Sequence, residues 1–97
     1  MDRETRLKRL HFRSWHRGFK EADLMLGHFA DAHLAAFSDD QLDRYETLIA
    51  SDDHDLYNWI VGRAPVPAEH DHDVFRMIQS GEHLQAPMHA LVNATQR

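Results

Sequence analysis

Residues 19–37 read FKEADLMLGHFADAHLAAF. Phe19, Ala22, Leu26, Phe29, Ala30, His33 and Phe37 recur mostly at steps of three and four, which lays one continuous apolar stripe along a helix. Nowhere does the chain alternate with period two, as a half-buried strand does. The stretch therefore predicts a long amphipathic helix, and the segments on either side follow the same rule.

Directly after the stripe, Ser38 is a good N-cap, and Gln41 stands three positions on, where a capping box needs it. Leu42, Tyr45, Leu48 and Ile49 then form the buried face of a third helix. Ser51 or Asp52 caps a short fourth helix carrying Leu56, Trp59 and Ile60, and Gly62 is placed to end it. Pro65 and Pro67 punctuate the connection, with Pro67 suited to the first turn of a fifth helix. That helix has Val74, Phe75, Met77 and Ile78 on its apolar face and Gly81 at its end. On the N-terminal side, residues 2–13 read as a basic helix with Leu7 and Leu10 on one side, and Gly18 marks a break or a tight approach. The fold class expected is all-α, a compact bundle of about five short helices. Residues 1–81 form the domain, and residues 82–97, weakly periodic and interrupted by Pro87, read as a loosely ordered tail.

Ninety-seven residues make one domain with room for one core. The chain has no cysteine, which excludes disulfides, thiol nucleophiles and thiolate metal sites. No apolar run approaches the ~18–20 residues of a membrane span, and no signal-peptide pattern opens the chain. Cytoplasmic is the default expectation. The net charge of −5 conceals an asymmetry. Residues 1–20 hold seven Lys or Arg against Asp2 and Glu4, whereas the remainder holds four against fourteen acids. Two readings of that basic end stand: a docking surface on an acidic body, or a solvated helix face.

The run Arg13-Ser14-Trp15-His16-Arg17-Gly18-Phe19-Lys20-Glu21 is locally unfavourable as a stability element. On one helix Arg17 and Glu21 would share a face, yet basic-before-acidic is the weaker order. Positive charge at a helix start opposes the macrodipole. A glycine there costs up to about 1 kcal/mol relative to alanine. Such choices together point to a constraint other than stability. One candidate is close backbone approach of a partner at Gly18, with a guanidinium and a carboxylate flanking the contact. A helix-start glycine beside a surface ion pair is the plainer alternative.

These residues carry a resemblance. Arg17-Gly18-Phe19-Lys20-Glu21 matches the RGxxE signature of the SdhE-type FAD assembly factors, the succinate dehydrogenase assembly factor 2 family. Arg13-Ser14 is similar to the family's lead-in, Asp23 to its aspartate after the glutamate, and Leu24-Met25-Leu26 to its apolar run. Ser38-Asp39-Asp40-Gln41-Leu42 resembles its third-helix start. Asp53-His54-Asp55-Leu56-Tyr57-Asn58-Trp59-Ile60 resembles its second signature, so the likeness spans roughly residues 6–79. It implies a five-helix protein that binds the flavoprotein subunit of succinate dehydrogenase, and in some bacteria of fumarate reductase. Such proteins promote covalent attachment of FAD to an active-site histidine of that subunit. The resemblance assigns partner binding to Arg17, Gly18 and Glu21, with Arg13, Phe19, Asp23 and Asp55 as further candidates. Phe19 stands where relatives often have methionine. It implies no catalytic residue, no stably held cofactor and no enzymatic turnover by the chain itself, with FAD bound by the partner.

Other constellations are weaker. Glu69-His70-Asp71-His72-Asp73 is the densest histidine cluster, but a two-residue spacing puts His70 and His72 on different helix faces, unlike the i, i+4 pairs of helical metal sites. It reads as a polar helix start, and no metal is expected. A nucleic-acid-binding or antitoxin-like regulator working through the basic N-terminal helix is the alternative function. The acidic remainder of the chain opposes it, and no nucleic-acid partner or membrane insertion is expected. Trp15 and Phe19 are candidates for an exposed apolar patch able to mediate self-association.

Overall fold

The structure is a computed structural model and describes residues 2–81. Its order is α1 (Arg3–Trp15), α2 (Lys20–His33), a 3₁₀ turn (Leu34–Ala36), α3 (Asp39–Ile49), α4 (Asp53–Ile60), a second 3₁₀ turn (Ala68–His70) and α5 (Asp73–Ser80). No strand occurs among the described residues. The reading of residues 82–97 as a tail lies outside them.

Four of the five described helices start at a side-chain cap. The Asp2 carboxylate accepts the Thr5 N–H at 2.8 Å, which satisfies one of the orphan donors of the first turn of α1. The capping box forms reciprocally at α3: Gln41 N–H donates to Ser38 Oγ at 3.1 Å, and Ser38 N–H to Gln41 Oε1 at 3.0 Å. Of the two candidates for α4 it is Asp52 that caps, accepting from His54 and Asp55. Gly62 follows α4 with φ of 81°, and Gly81 follows α5 with φ of 70°. Both lie in the left-handed region that L-residues avoid.

Two boundaries differ from the sequence reading. The α2 stripe does not begin in the helix at Phe19, whose backbone is extended and serves as the N-cap position. Nor does it run unbroken to Phe37, because the chain tightens into the 3₁₀ turn after His33. Pro67 opens the second 3₁₀ turn rather than α5. That turn buries His70 against Trp59, with ring centroids 5.7 Å apart. The chain then restarts at His72, whose Nδ1 accepts the Phe75 N–H at 3.1 Å and caps α5.

The core joins all five helices. Leu10 of α1, Met25, Leu26 and Phe29 of α2, and Leu42, Tyr45, Leu48 and Ile49 of α3 meet Leu56 and Ile60 of α4 and Val74, Phe75 and Ile78 of α5. Inside it, Ser14 Oγ donates to the Leu10 carbonyl at 2.7 Å and shares a hydrogen bond with Tyr45 Oη. The two buried hydroxyls thereby satisfy each other. Burial pushes the Tyr45 phenol up to about 12, against the opposing pull of the Ser14 hydrogen bond.

Helices α1 and α2 pack closely because Gly27 removes a side chain from their contact. A Cβ there would overlap carbons of the Trp15 indole. Trp15 is half-buried on this glycine, its Nε1 3.3 Å from Asp31 Oδ1, and it meets His28 edge-on. Trp15 is thus a packing residue, not part of an exposed patch.

Candidate functional site

The segment between α1 and α2, residues 16–19, holds the Arg17-Gly18 pair. Arg17 and Glu21 therefore do not share a helix, and the i, i+4 pairing expected from the sequence does not form. Arg17 turns inward instead. Its side chain is only 8% exposed and makes an ion pair with Asp53 at the start of α4, with Nη2 2.6 Å from Oδ1. The Nε–H donates to the same carboxylate oxygen at 2.8 Å. Two more donors reach carbonyls, that of Ile49 at the end of α3 (2.6 Å) and that of Arg13 in the last turn of α1 (3.2 Å). A guanidinium has five N–H donors in a fixed fork, and here that fork ties three helices together. Charge-assisted bonds of this kind are each worth about 1.5–3 kcal/mol when water is largely excluded.

The second Asp53 oxygen accepts the Gly18 N–H at 2.6 Å. From the other side, Asp23 Oδ1 accepts the Arg17 N–H at 2.5 Å. The linker is thus held by two carboxylates, one from α2 and one from α4. Gly18 itself is exposed. Phe19 is half-buried, stacked on His54 at 4.8 Å and edge-on to Tyr57 at 5.2 Å, so it too is excluded from an exposed apolar patch. Among the described residues, the large hydrophobic side chain that does stand in solvent is Phe12, 64% exposed and stacked on His16.

Glu21 lies in the first turn of α2, where the helix dipole favours a carboxylate. It is half-buried, and its carboxylate has no ion-pair or hydrogen-bond partner among the described residues. Asp55 stands exposed in the first turn of α4, likewise without a side-chain partner among those residues, and no bond joins it to the Arg17–Asp53 cluster. Arg13 lies 3.9 Å from Glu46 and lines a cleft of about 510 Å³ between the end of α1 and the α3–α4 turn. Phe12, His16, Arg17 and Ser51–Asp53 complete much of its wall.

The basic end of the chain is neither a free docking surface nor a wholly solvated one. Arg3 binds Asp39 and the Phe37 carbonyl, and Arg6 binds Asp43 and Glu46. These acids belong to α3, so much of the charge asymmetry seen in the sequence is complementarity between two packed helices. Among the described residues, no group of three or more His, Cys, Asp or Glu is arranged to hold a metal ion, and no helix is long and apolar enough to cross a membrane.

Of the residues singled out in sequence, Arg17, Gly18, Phe19 and Asp23 come together on one linker, with Glu21 one turn into α2. Asp53 was missed as the residue that organises them. Its only sequence signal is membership of the second signature run, because nothing local connects position 53 to positions 17 and 18.

A family model described as flavinator of succinate dehydrogenase matches residues 8–82. The chain belongs to this family. Among curated relatives it is 41% identical over 78 residues to a succinate dehydrogenase assembly factor 2-A, mitochondrial, of Drosophila yakuba, covering 78% of the chain and 48% of that protein. The corresponding factor of Meyerozyma guilliermondii is 40% identical over 81 residues (79% and 60%), and that of Dictyostelium discoideum 38% over 72 residues (74% and 51%). The chain thus spans about half the length of the curated relatives it matches. These relatives are named as mitochondrial proteins, which overturns the cytoplasmic default drawn from the sequence. Nothing in these likenesses supports the nucleic-acid-binding or antitoxin-like alternative.

Proposed function

We propose that this flavinator-family chain is an assembly factor that binds the flavoprotein subunit of succinate dehydrogenase and promotes covalent attachment of FAD to it. The observation that carries this reading is the family match, which spans residues 8–82 and includes every candidate from Arg13 to Asp55. In this reading the chain is a binding protein and not an enzyme. FAD is held by the partner, and the chain needs no flavin site of its own.

Covalent attachment of a flavin demands alignment and electrostatic preorganisation. The partner's own groups meet those demands once its mobile parts are held in place. A small protein that binds the aligned state selectively shifts the population toward it. The Glu21 carboxylate, which has no partner among the described residues, supplies the charged contact, with Phe19 and Asp23 fixing the linker beside it. Glu21 acts here as a docking anion with no proton-transfer role.

Depletion of the protein, followed by flavin fluorescence imaging of a denaturing gel, tests the proposal. Covalent flavin on the succinate dehydrogenase flavoprotein subunit fades while the subunit itself persists. Undiminished covalent flavin in depleted cells refutes the function.

A further inference from the structure

Resting on that reading, we infer that Asp53 is the positioning residue of the partner-binding linker, and that position 18 is glycine to make room for the Asp53 carboxylate. A partner's backbone approaching closely at Gly18 is then not what requires the glycine.

Asp53 lies 35 positions from Gly18, at the first residue of α4. Its two oxygens divide between two consecutive residues: Oδ1 takes the Arg17 guanidinium and Oδ2 takes the Gly18 N–H. One carboxylate thus fixes both a side chain and the next peptide plane. Arg17 has little surface left to offer a second protein, since its side chain is 8% exposed and its donors reach Asp53, Ile49 and Arg13. What the latch leaves outward is Gly18 and, one turn on, the Glu21 carboxylate.

On the side facing Asp53, Gly18 has little room for a side chain. A Cβ at this position would stand 2.8 Å from Asp53 Oδ2 but 3.6 Å from Asp53 Cγ and 3.7 Å from Asp53 Cβ. Only the carboxylate oxygen is too close, and the last separation is ordinary van der Waals contact. The φ of Gly18 is outside the left-handed region, so alanine meets no backbone strain there. The glycine requirement should therefore vanish when the carboxylate is removed.

That is a double-mutant cycle. The full chain, the FAD-free flavoprotein subunit and FAD are combined, and the initial rate of covalent flavin incorporation is read for wild type, Gly18→Ala, Asp53→Ala and the double variant. The melting temperature of each is measured alongside. Each single variant loses roughly tenfold in rate, a size typical of residues in one network, while its helical melt persists. The double variant matches Asp53→Ala within about twofold. If Gly18→Ala instead exacts its full loss again in the Asp53→Ala background, the glycine serves the partner and the inference is wrong. Wild-type rate in Asp53→Ala overturns it equally.

Asp53→Asn covers the case of a poorly folding alanine variant. It keeps the acceptor for Gly18 but weakens the hold on Arg17, so it retains an intermediate rate, and wild-type rate in it counts against the latch. Amide exchange of Gly18 in the isolated chain reads the latch without the partner: slow in wild type, fast in Asp53→Ala. A wild-type chain that fails to stimulate flavin incorporation, with Gly18 still protected, sinks the proposed function and leaves the latch intact. Equal exchange in both proteins sinks the latch itself.

Discussion

Replacing Gly27 by alanine reverses the ordinary sign of a helix substitution. In an unobstructed helix interior, glycine to alanine gains about 1 kcal/mol. At position 27 the added methyl would overlap the Trp15 indole, so ring or helix must move. Overpacking of this kind costs about 1–3 kcal/mol. If the ring swings outward it also loses its edge contact with His28, whose centroid lies 5.0 Å away, and its bond to Asp31. Aromatic pairs contribute about 0.5–1.5 kcal/mol. The balance is a net loss of roughly 1–2 kcal/mol, with the steric and aromatic terms exceeding the propensity gain. For a domain of this size that lowers the melting temperature by roughly 5–15 °C. Thermal unfolding followed by circular dichroism measures it. A second arm isolates the cause: with Trp15→Ala already present, Gly27→Ala becomes stabilising by about 1 kcal/mol. A melting temperature at or above wild type in the single variant, or the same loss in both backgrounds, refutes the reasoning.

Two further outcomes follow from the charges. Arg6→Gln removes bonds to Asp43 and Glu46, and because those carboxylates are 66% and 44% exposed the loss in chemical denaturation is only about 0.5–1 kcal/mol. It narrows in high salt, and a salt-independent difference contradicts the pairing of α1 with α3. Burial holds the His72 imidazole below its ordinary value, and its neutral Nδ1 is the acceptor that caps α5. As pH falls through the unfolded histidine value of about 6.5, the unfolded chain takes the proton first. Stability present above that pH is therefore lost on acidification. His72→Ser retains a capping oxygen and flattens this part of the acid slope, and superimposable pH profiles for the two proteins count against it.

Much of the fold was legible because its signals are local. The Ser38–Gln41 capping box, the Leu42–Ile49 face and the glycines after α4 and α5 each depend on residues within one or two turns. Pro67 misled because the same residue opens a 3₁₀ turn as readily as an α-helix, and the choice was made by burial of His70 against Trp59. Gly27 went unread because its reason is Trp15, on another helix. The site was legible in part. The RGxxE run falls on the linker and the start of α2, and Asp23 just beyond it hydrogen-bonds back to Arg17, but helical spacing set Arg17 against Glu21 rather than Asp53. The true partner, Asp53, arrives only when the start of α4 meets the α1–α2 linker, and no periodicity carries that information. The basic N-terminus posed the same difficulty, since its acids lie on α3.

In the function proposed above, Arg17 and Gly18 form an internal latch and Glu21 is the charged group offered to the flavoprotein. The most direct test is Glu21→Gln in the full chain, reading covalent flavin incorporated into the succinate dehydrogenase flavoprotein subunit alongside the melting temperature. Because Glu21 has no side-chain partner among the described residues, the substitution costs only its favourable place at the start of α2, about 0.3–1 kcal/mol, so the melt falls by at most about 8 °C while flavin incorporation falls sharply. Full incorporation by a normally folded Glu21→Gln chain contradicts the claim.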